Sequence, residues 1–188
     1  MVTARRLGLF GGTFDPPHLG HVAALRAAAR SGRFDRLVVT VAGDPYLKGP
    51  DVLAADVRLA MAHAAFDELD LVEVSDLELR RSGPSYTVDT VRELLEDAEA
   101  VDLIVGADLA TQLDSWHGGE EFRALVVVGI VPRPGSTIDA LPHWRSYLIP
   151  MEPVDLSSTY VRELDPAAED LRDFLPERVI PLFEHARG

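Results

Sequence analysis

The sequence predicts an α/β fold with a doubly wound parallel sheet, helices on both faces and a small helical C-terminal part. Three observations carry this: short apolar, β-branched runs recur along the chain, longer segments of helical period separate them, and the least ordinary residue groupings fall just after the runs. The runs 7–10, 37–41, 71–74, 101–105 and 126–131 read as strands, their near-continuous hydrophobicity suiting burial on both faces. Segments 20–30, 53–66 and 87–98 have the spacing and the Ala, Leu, Arg and Glu content of helices. A weak strand follows at Tyr147-Leu148-Ile149, then a short helix from about Ser157 and a closing helix that Pro176 could start.

The 188 residues, 47% hydrophobic and 26% charged, suit one domain over 1–188 with an interior large enough for a sheet covered on both sides. No apolar run approaches the roughly 20 residues of a membrane span, and no secretory core precedes Gly12, so a cytoplasmic location is expected. With no Cys, any chemistry must use His, carboxylate, hydroxyl, Lys or Arg. A net charge of -13 argues against a general nucleic-acid or anionic-membrane surface. A small anionic ligand fits only if a few placed cations and N–H groups hold it locally. A homo-oligomer is compatible with the sequence. Lys48 is the chain's only lysine, and its place beside the motif region makes it a candidate phosphate contact.

In open α/β sheets, ligands bind beyond the carboxyl ends of the strands. The first such loop reads Gly11-Gly12-Thr13-Phe14-Asp15-Pro16-Pro17-His18-Leu19-Gly20-His21. Its glycines let backbone N–H groups approach phosphate oxygens, a helix start adds partial positive charge, and His18 and His21 sit about one turn apart. Neither Gly-x-x-x-x-Gly-Lys-Ser/Thr nor Gly-x-Gly-x-x-Gly is present. Near the C-terminus, Ser157 reads as a helix cap with Arg162 on the same side, a plain cap or an anion site. Trp116 reads as a core aromatic or a stacking surface for a planar ring. Asp108 reads as a helix N-cap or a ligand contact.

The first loop resembles the Gly-x-Phe-Asp-Pro-x-His-x-Gly-His signature of the nucleotidyltransferase superfamily, and within it the bacterial nicotinate-nucleotide adenylyltransferases. Arg81-Ser82-Gly83-Pro84-Ser85-Tyr86-Thr87-Val88-Asp89-Thr90 is similar to that family's Arg-x-Gly-Pro-Ser-Tyr-Thr-x-Asp-Thr, Gly106-Ala107-Asp108 with Leu113 and Trp116 to its Gly-Ala-Asp…Leu-x-x-Trp, and Leu156-Ser157-Ser158-Thr159-Tyr160-Val161-Arg162 to its Ile-Ser-Ser-Thr-x-x-Arg. The resemblance implies a Rossmann-like fold and transfer of AMP from ATP to nicotinate mononucleotide, giving deamido-NAD and pyrophosphate. It implies that His18, His21, Lys48 and Arg162 act in catalysis. Gly11, Gly12, Thr13, Phe14, Gly106, Asp108, Arg133, Ser157, Ser158 and Thr159 would bind ATP, and Tyr86, Thr87 and Trp116 the acceptor. Mg²⁺ would enter mainly on ATP phosphates, without a dedicated protein cluster.

The chain departs from that family at Gly43-Asp44-Pro45-Tyr46-Leu47-Lys48, where many relatives carry Pro-Pro-His-Lys; the His is missing and Lys48 keeps the Lys position. His117 is expected to be an exposed loop residue. Three rival readings remain: the same chemistry on nicotinamide mononucleotide or another phosphorylated acceptor, a non-catalytic nucleotide-binding homologue, and a nicotinamide-dependent oxidoreductase. A phosphopantetheine enzyme would show Thr-Asn-Gly-His where this chain has His18-Leu19-Gly20-His21, and the missing dinucleotide fingerprint disfavours the oxidoreductase.

Overall fold

A computed structural model describes residues 4–43, 52–136, 141–164 and 170–188. Its elements run β1 (Ala4–Gly12), α1 (Leu19–Arg30), β2 (Arg36–Val41), α2 (Ala55–Phe66), β3 (Val72–Ser75), α3 (Thr87–Leu94), β4 (Ala98–Gly106), α4 (Ala107–Ala110), α5 (Gly119–Leu125), β5 (Val126–Val131), β6 (Ser146–Leu148), α6 (Ser158–Glu163) and α7 (Ile180–Arg187). All six strands pair in parallel in the order β3-β2-β1-β4-β5-β6. The predicted α/β class is met. The strand order reverses between β1 and β4, which places a crevice at their carboxyl ends.

The apolar strand runs feed two interiors. Leu7, Leu9, Leu103, Val105, Val128 and Ile130 pack on one face with Val88 and Val91 of α3 and Phe122 of α5. Phe10, Val39, Val41 and Ile104 pack on the other with Leu25 and Ala28 of α1 and Phe66 of α2. A third cluster, Met61, Val161, Leu171, Leu175, Val179 and Phe183, joins α2 to the C-terminal helices. It is this cluster that seats α6 above the first loop. Among the described residues no helix is long and apolar enough to cross a membrane.

Several boundaries differ from the sequence reading. The predicted helix 87–98 stops at Leu94, because Ala98 pairs with Ala4 and opens β4. The third strand starts at Val72, since Leu71 adopts a left-handed φ of 64°, although its carbonyl still accepts from the Leu37 N–H at 2.7 Å. The closing helix begins at Ile180 with Pro181 in its first turn. Pro176 forms a preceding turn, its carbonyl accepting from Val179 N–H at 2.9 Å. Helices α4 and α5 are too short for periodicity to reveal.

One polar group is built into the core. Asp102 on β4 is fully buried, and its carboxylate receives Arg6 Nη1 at 2.6 Å, Arg33 Nε at 2.5 Å and Tyr147 Oη at 3.0 Å. Tyr147 reaches it by crossing β5 at Gly129, where an added Cβ would lie 2.9 Å from the hydroxyl. The Arg33 guanidinium also stacks 4.1 Å over the Tyr147 ring. The phenol is pushed above its ordinary pKa by burial first and by the adjacent carboxylate second. Asp102→Asn should therefore lower stability by about 3 kcal/mol, because it leaves two arginines facing a neutral amide. Urea unfolding checks this; a loss below about 1 kcal/mol would rank the clamp with surface ion pairs.

Candidate active site

The first loop leaves β1 through Gly12, where a Cβ would stand 2.8 Å from the Phe14 ring, so only glycine admits that ring beneath the strand end. Phe14 holds a left-handed φ of 52°, a conformation costing on the order of 1–3 kcal/mol away from glycine. Aromatic packing offsets it. The Phe14 ring lies 5.4 Å from Phe66, 5.9 Å from Phe10 and 5.1 Å from His21. The Asp15-Pro16 peptide is cis.

Arg58, on α2, carries the loop from behind. The side chain is 2% exposed, and it donates from Nε to Leu53 O at 2.9 Å and from Nη1 to Thr13 O at 2.9 Å and Ala42 O at 2.8 Å. Burial lowers its pKa, and the Asp15 carboxylate opposes that fall. Asp15 is 1% exposed with neither carboxylate oxygen hydrogen-bonded, so its charge is balanced by Arg58 and by Arg162 Nη1 at 4.0 Å.

His18 caps α1 and His21 occupies its first turn, their rings stacked at 3.7 Å. The His18 backbone N–H donates to His21 Nδ1 at 3.1 Å, which places the proton of a neutral His21 on Nε2. His18 is 1% exposed, and its Nδ1 is buried without a hydrogen-bond partner. Burial, and secondarily the positive charge of Arg133, lowers its pKa from 6.5 to about 4. Near neutral pH the ring is uncharged.

The C-terminal part closes over this loop. Ser157 caps α6, accepting from Tyr160 N–H at 3.1 Å, so the predicted cap forms. Ser158 Oγ donates to Pro16 O at 2.9 Å. Arg162 donates from Nη1 to Asp15 O at 2.7 Å and from Nη2 to Thr159 Oγ1 at 3.3 Å. Arg133, just beyond β5, donates to Leu156 O at 2.8 Å and approaches Asp108 at 3.7 Å. Gly106 is the N-cap of α4, so Asp108 lies in the first turn and is not the cap. Gly11, Gly12, Thr13, Phe14, His18, His21, Gly106, Asp108, Arg133, Ser157, Ser158, Thr159 and Arg162 thus lie on strand ends, the loops that follow them and the short helices packed over those loops. Lys48 lies outside the described residues.

A second grouping forms on the α3 side. Tyr86 is the N-cap of α3 and Thr87 its first residue, and the Tyr86 ring stacks on His117 at 4.1 Å. His117 is exposed, as expected, with one ring face covered by Tyr86. Trp116 is half-buried, packed on the core and parallel to Phe122 at 6.2 Å. Among the described residues no group of three or more His, Asp or Glu side chains converges as metal ligands would. Sequence reasoning missed Arg58, Asp102 and Glu78; the available signal for Arg58 was an arginine on the inward face of an otherwise apolar helix.

The neutral state of buried His18 has a measurable consequence. Below pH 6.5 the unfolded chain takes up a proton at this site that the folded chain accepts only near pH 4, so stability falls as pH drops through that window. His18→Gln should remove on the order of 3 kcal/mol of that decline. Urea unfolding across the pH range checks it, and parallel curves for the two proteins would refute it.

Residues 9–164 match the family described as cytidylyltransferase-like. A probable nicotinate-nucleotide adenylyltransferase of Shouchella clausii is 35% identical over 184 residues, covering 96% of this chain and 94% of that one. Another, from Albidiferax ferrireducens, is 45% identical over 136 residues, 71% and 68% of the two chains. The nicotinic acid mononucleotide adenylyltransferase of Plasmodium falciparum complexed with NaAD shares the fold, with a TM-score of 0.79 at 20% identity over 96% of this chain and 95% of that one. With the buried His18 and half-buried His21 at the head of α1, Arg133 acting on His18, Arg162 on Asp15 and this sequence kinship over nearly its whole length, the chain belongs to the cytidylyltransferase-like family, among the nicotinate-nucleotide adenylyltransferases.

Proposed function

We propose that this protein transfers AMP from ATP to nicotinate mononucleotide, forming deamido-NAD and pyrophosphate. The observation that carries the reading is the convergence of His18, His21, Arg133 and Arg162 on one strand-end crevice in a chain of net charge -13. Two guanidinium groups and two imidazole N–H donors placed together against the overall field suit a polyphosphate. The curated relatives bear this activity in their names.

The acceptor's phosphate oxygen attacks the α-phosphorus of ATP; the new O–P bond forms as the bond to the β-phosphate oxygen breaks, and the electron pair leaves on pyrophosphate. The nucleophile arrives ionised, so no side chain need be modified covalently. Catalysis rests on in-line positioning and on charge stabilisation. Backbone groups of Gly11, Gly12 and Thr13, held by Phe14 and Arg58, would face the triphosphate, with Gly106 and Asp108 at the nucleoside side. His18 and His21 would donate N–H groups to the reacting phosphate, whose charge raises the proton affinity of His18 from its low resting value. Arg162 has already committed donors to Asp15 O and Thr159 Oγ1, and its remaining N–H groups would hold the leaving phosphates with Arg133, Ser157, Ser158 and Thr159. Lys48 would add a further phosphate contact. Tyr86, Thr87 and Trp116 would receive the pyridine nucleotide.

A Mg²⁺ ion fits this site through phosphate oxygens and water, since the protein donors gathered there are mainly N–H groups and cations. When bound it would neutralise charge on the departing phosphates.

The test incubates the pure protein with Mg-ATP and, separately, nicotinate or nicotinamide mononucleotide, measuring pyrophosphate and dinucleotide. Release with the nicotinate substrate, lost on chelation and regained with Mg²⁺, is expected. No release with either acceptor sinks the proposal, and preference for the amide redirects it. His18→Ala should lower kcat by about 100-fold while the protein remains folded; unchanged turnover would remove His18 from the chemistry.

A further inference from the structure

Glu78 stands just ahead of the 81–90 segment and turns its carboxylate into the interior, 9% exposed, between β2 and α3. Its Oε1 accepts from Thr40 Oγ1 of β2 at 3.2 Å and from Thr90 Oγ1 of α3 at 3.0 Å. Thr90 Oγ1 accepts in turn from Arg81 Nη1 at 2.7 Å, and the same Nη1 donates to Ser85 Oγ at 2.8 Å. Arg81 Nη2 meets Glu93 at 2.7 Å.

The other end of this chain of bonds reaches the phosphate side. Thr40 pairs with Gly11 in the β1–β2 register, and a Cβ on Gly11 would lie 3.4 Å from Thr40 Oγ1. A Cβ on Gly43 would lie 2.8 Å from Glu78 O, so the Glu78 turn also packs against the backbone leaving β2. Bonds therefore run without a break from Thr40, whose hydroxyl lies beside Gly11, through Glu78, Thr90 and Arg81 to Ser85, one residue before Tyr86. Apolar side chains could fill such a junction without the desolvation that a buried carboxylate suffers, a cost visible in the upward push that burial exerts on the Glu78 pKa. What the polar relay adds over apolar filling is direction: each bond fixes one element at a set angle to the next.

We propose that Glu78 is a positioning residue for the acceptor: its carboxylate holds the 81–87 loop in register with the strand end at Gly11, and so sets the line along which the acceptor phosphate approaches. This rests on the adenylyl-transfer reading above. Glu78 touches neither substrate. It acts through Thr90 and Arg81.

The experiment compares wild type with Glu78→Gln, Thr90→Val and Thr90→Ser in steady-state kinetics, in calorimetric binding of nicotinate mononucleotide alone, and in thermal unfolding. Glu78→Gln and Thr90→Val should raise the acceptor KM by about fivefold, the effect of one weakened hydrogen bond, with the ATP KM changed by less than about twofold. Thr90→Ser, which keeps the hydroxyl, should restore the acceptor KM. Acceptor and ATP KM rising together, neither moving, or Thr90→Ser behaving like Thr90→Val would each overturn the role. If Glu78→Gln does not fold, the Thr90 pair decides. A wild type inactive with this acceptor overturns the proposed function and the role with it, whereas an active wild type with indifferent variants overturns the role alone.

Discussion

The buried guanidinium of Arg58 organises the phosphate side of this molecule, because three backbone carbonyls from three segments end on it: Leu53 before α2, Thr13 after β1 and Ala42 after β2. Thr13 and Ala42 are carbonyls just past a strand end, where the ladder no longer supplies a partner, and Leu53 lies in the loop that enters α2. Pinning Thr13 and Ala42 to one planar group fixes the spacing of two strand-end loops. The Asp15 carboxylate beside it balances the buried charge and also faces Arg162. One ion cluster thereby joins α2, the first loop and α6.

From that anchor the site assembles outward. Phe14 accepts an unfavourable backbone conformation, and its ring is then wedged between Gly12, Phe66 and His21. His21 takes the His18 backbone N–H and lies against the His18 ring. The loop's free carbonyls, at Asp15 and Pro16, are consumed by Arg162 and Ser158 from a helix more than 140 residues further along. The C-terminal helices are thus part of the site's construction. Their apolar contacts with Met61 of α2 hold them where those bonds can form.

Among the described residues, the two buried carboxylates away from this loop contrast with each other. Asp102 receives two guanidinium groups and a phenol, so its charge is satisfied and it ties β1, β4 and β6 together below the site. Glu78 receives two hydroxyl groups and only a distant guanidinium, so burial wins and its pKa rises. The first is built for rigidity. The second lies on a run of bonds that connects the two substrate groupings.

The sequence by itself determined the α/β class, the strand positions and the first loop, because strands buried on both faces must be apolar throughout and a phosphate-side loop needs glycines and histidines close together in the chain. The cap at Ser157 was legible for the same reason, since a cap acts within three residues of itself. Local spacing could not show that Arg58 turns inward or that Asp102 collects Arg6, Arg33 and Tyr147. Nor could it reveal that Glu78 joins Thr40 to Thr90, or that helix 87–98 would stop at Leu94 and give Ala98 to β4. Those outcomes depend on partners dozens of residues away in the chain, and only the sheet order, by deciding which segments become neighbours, supplies them.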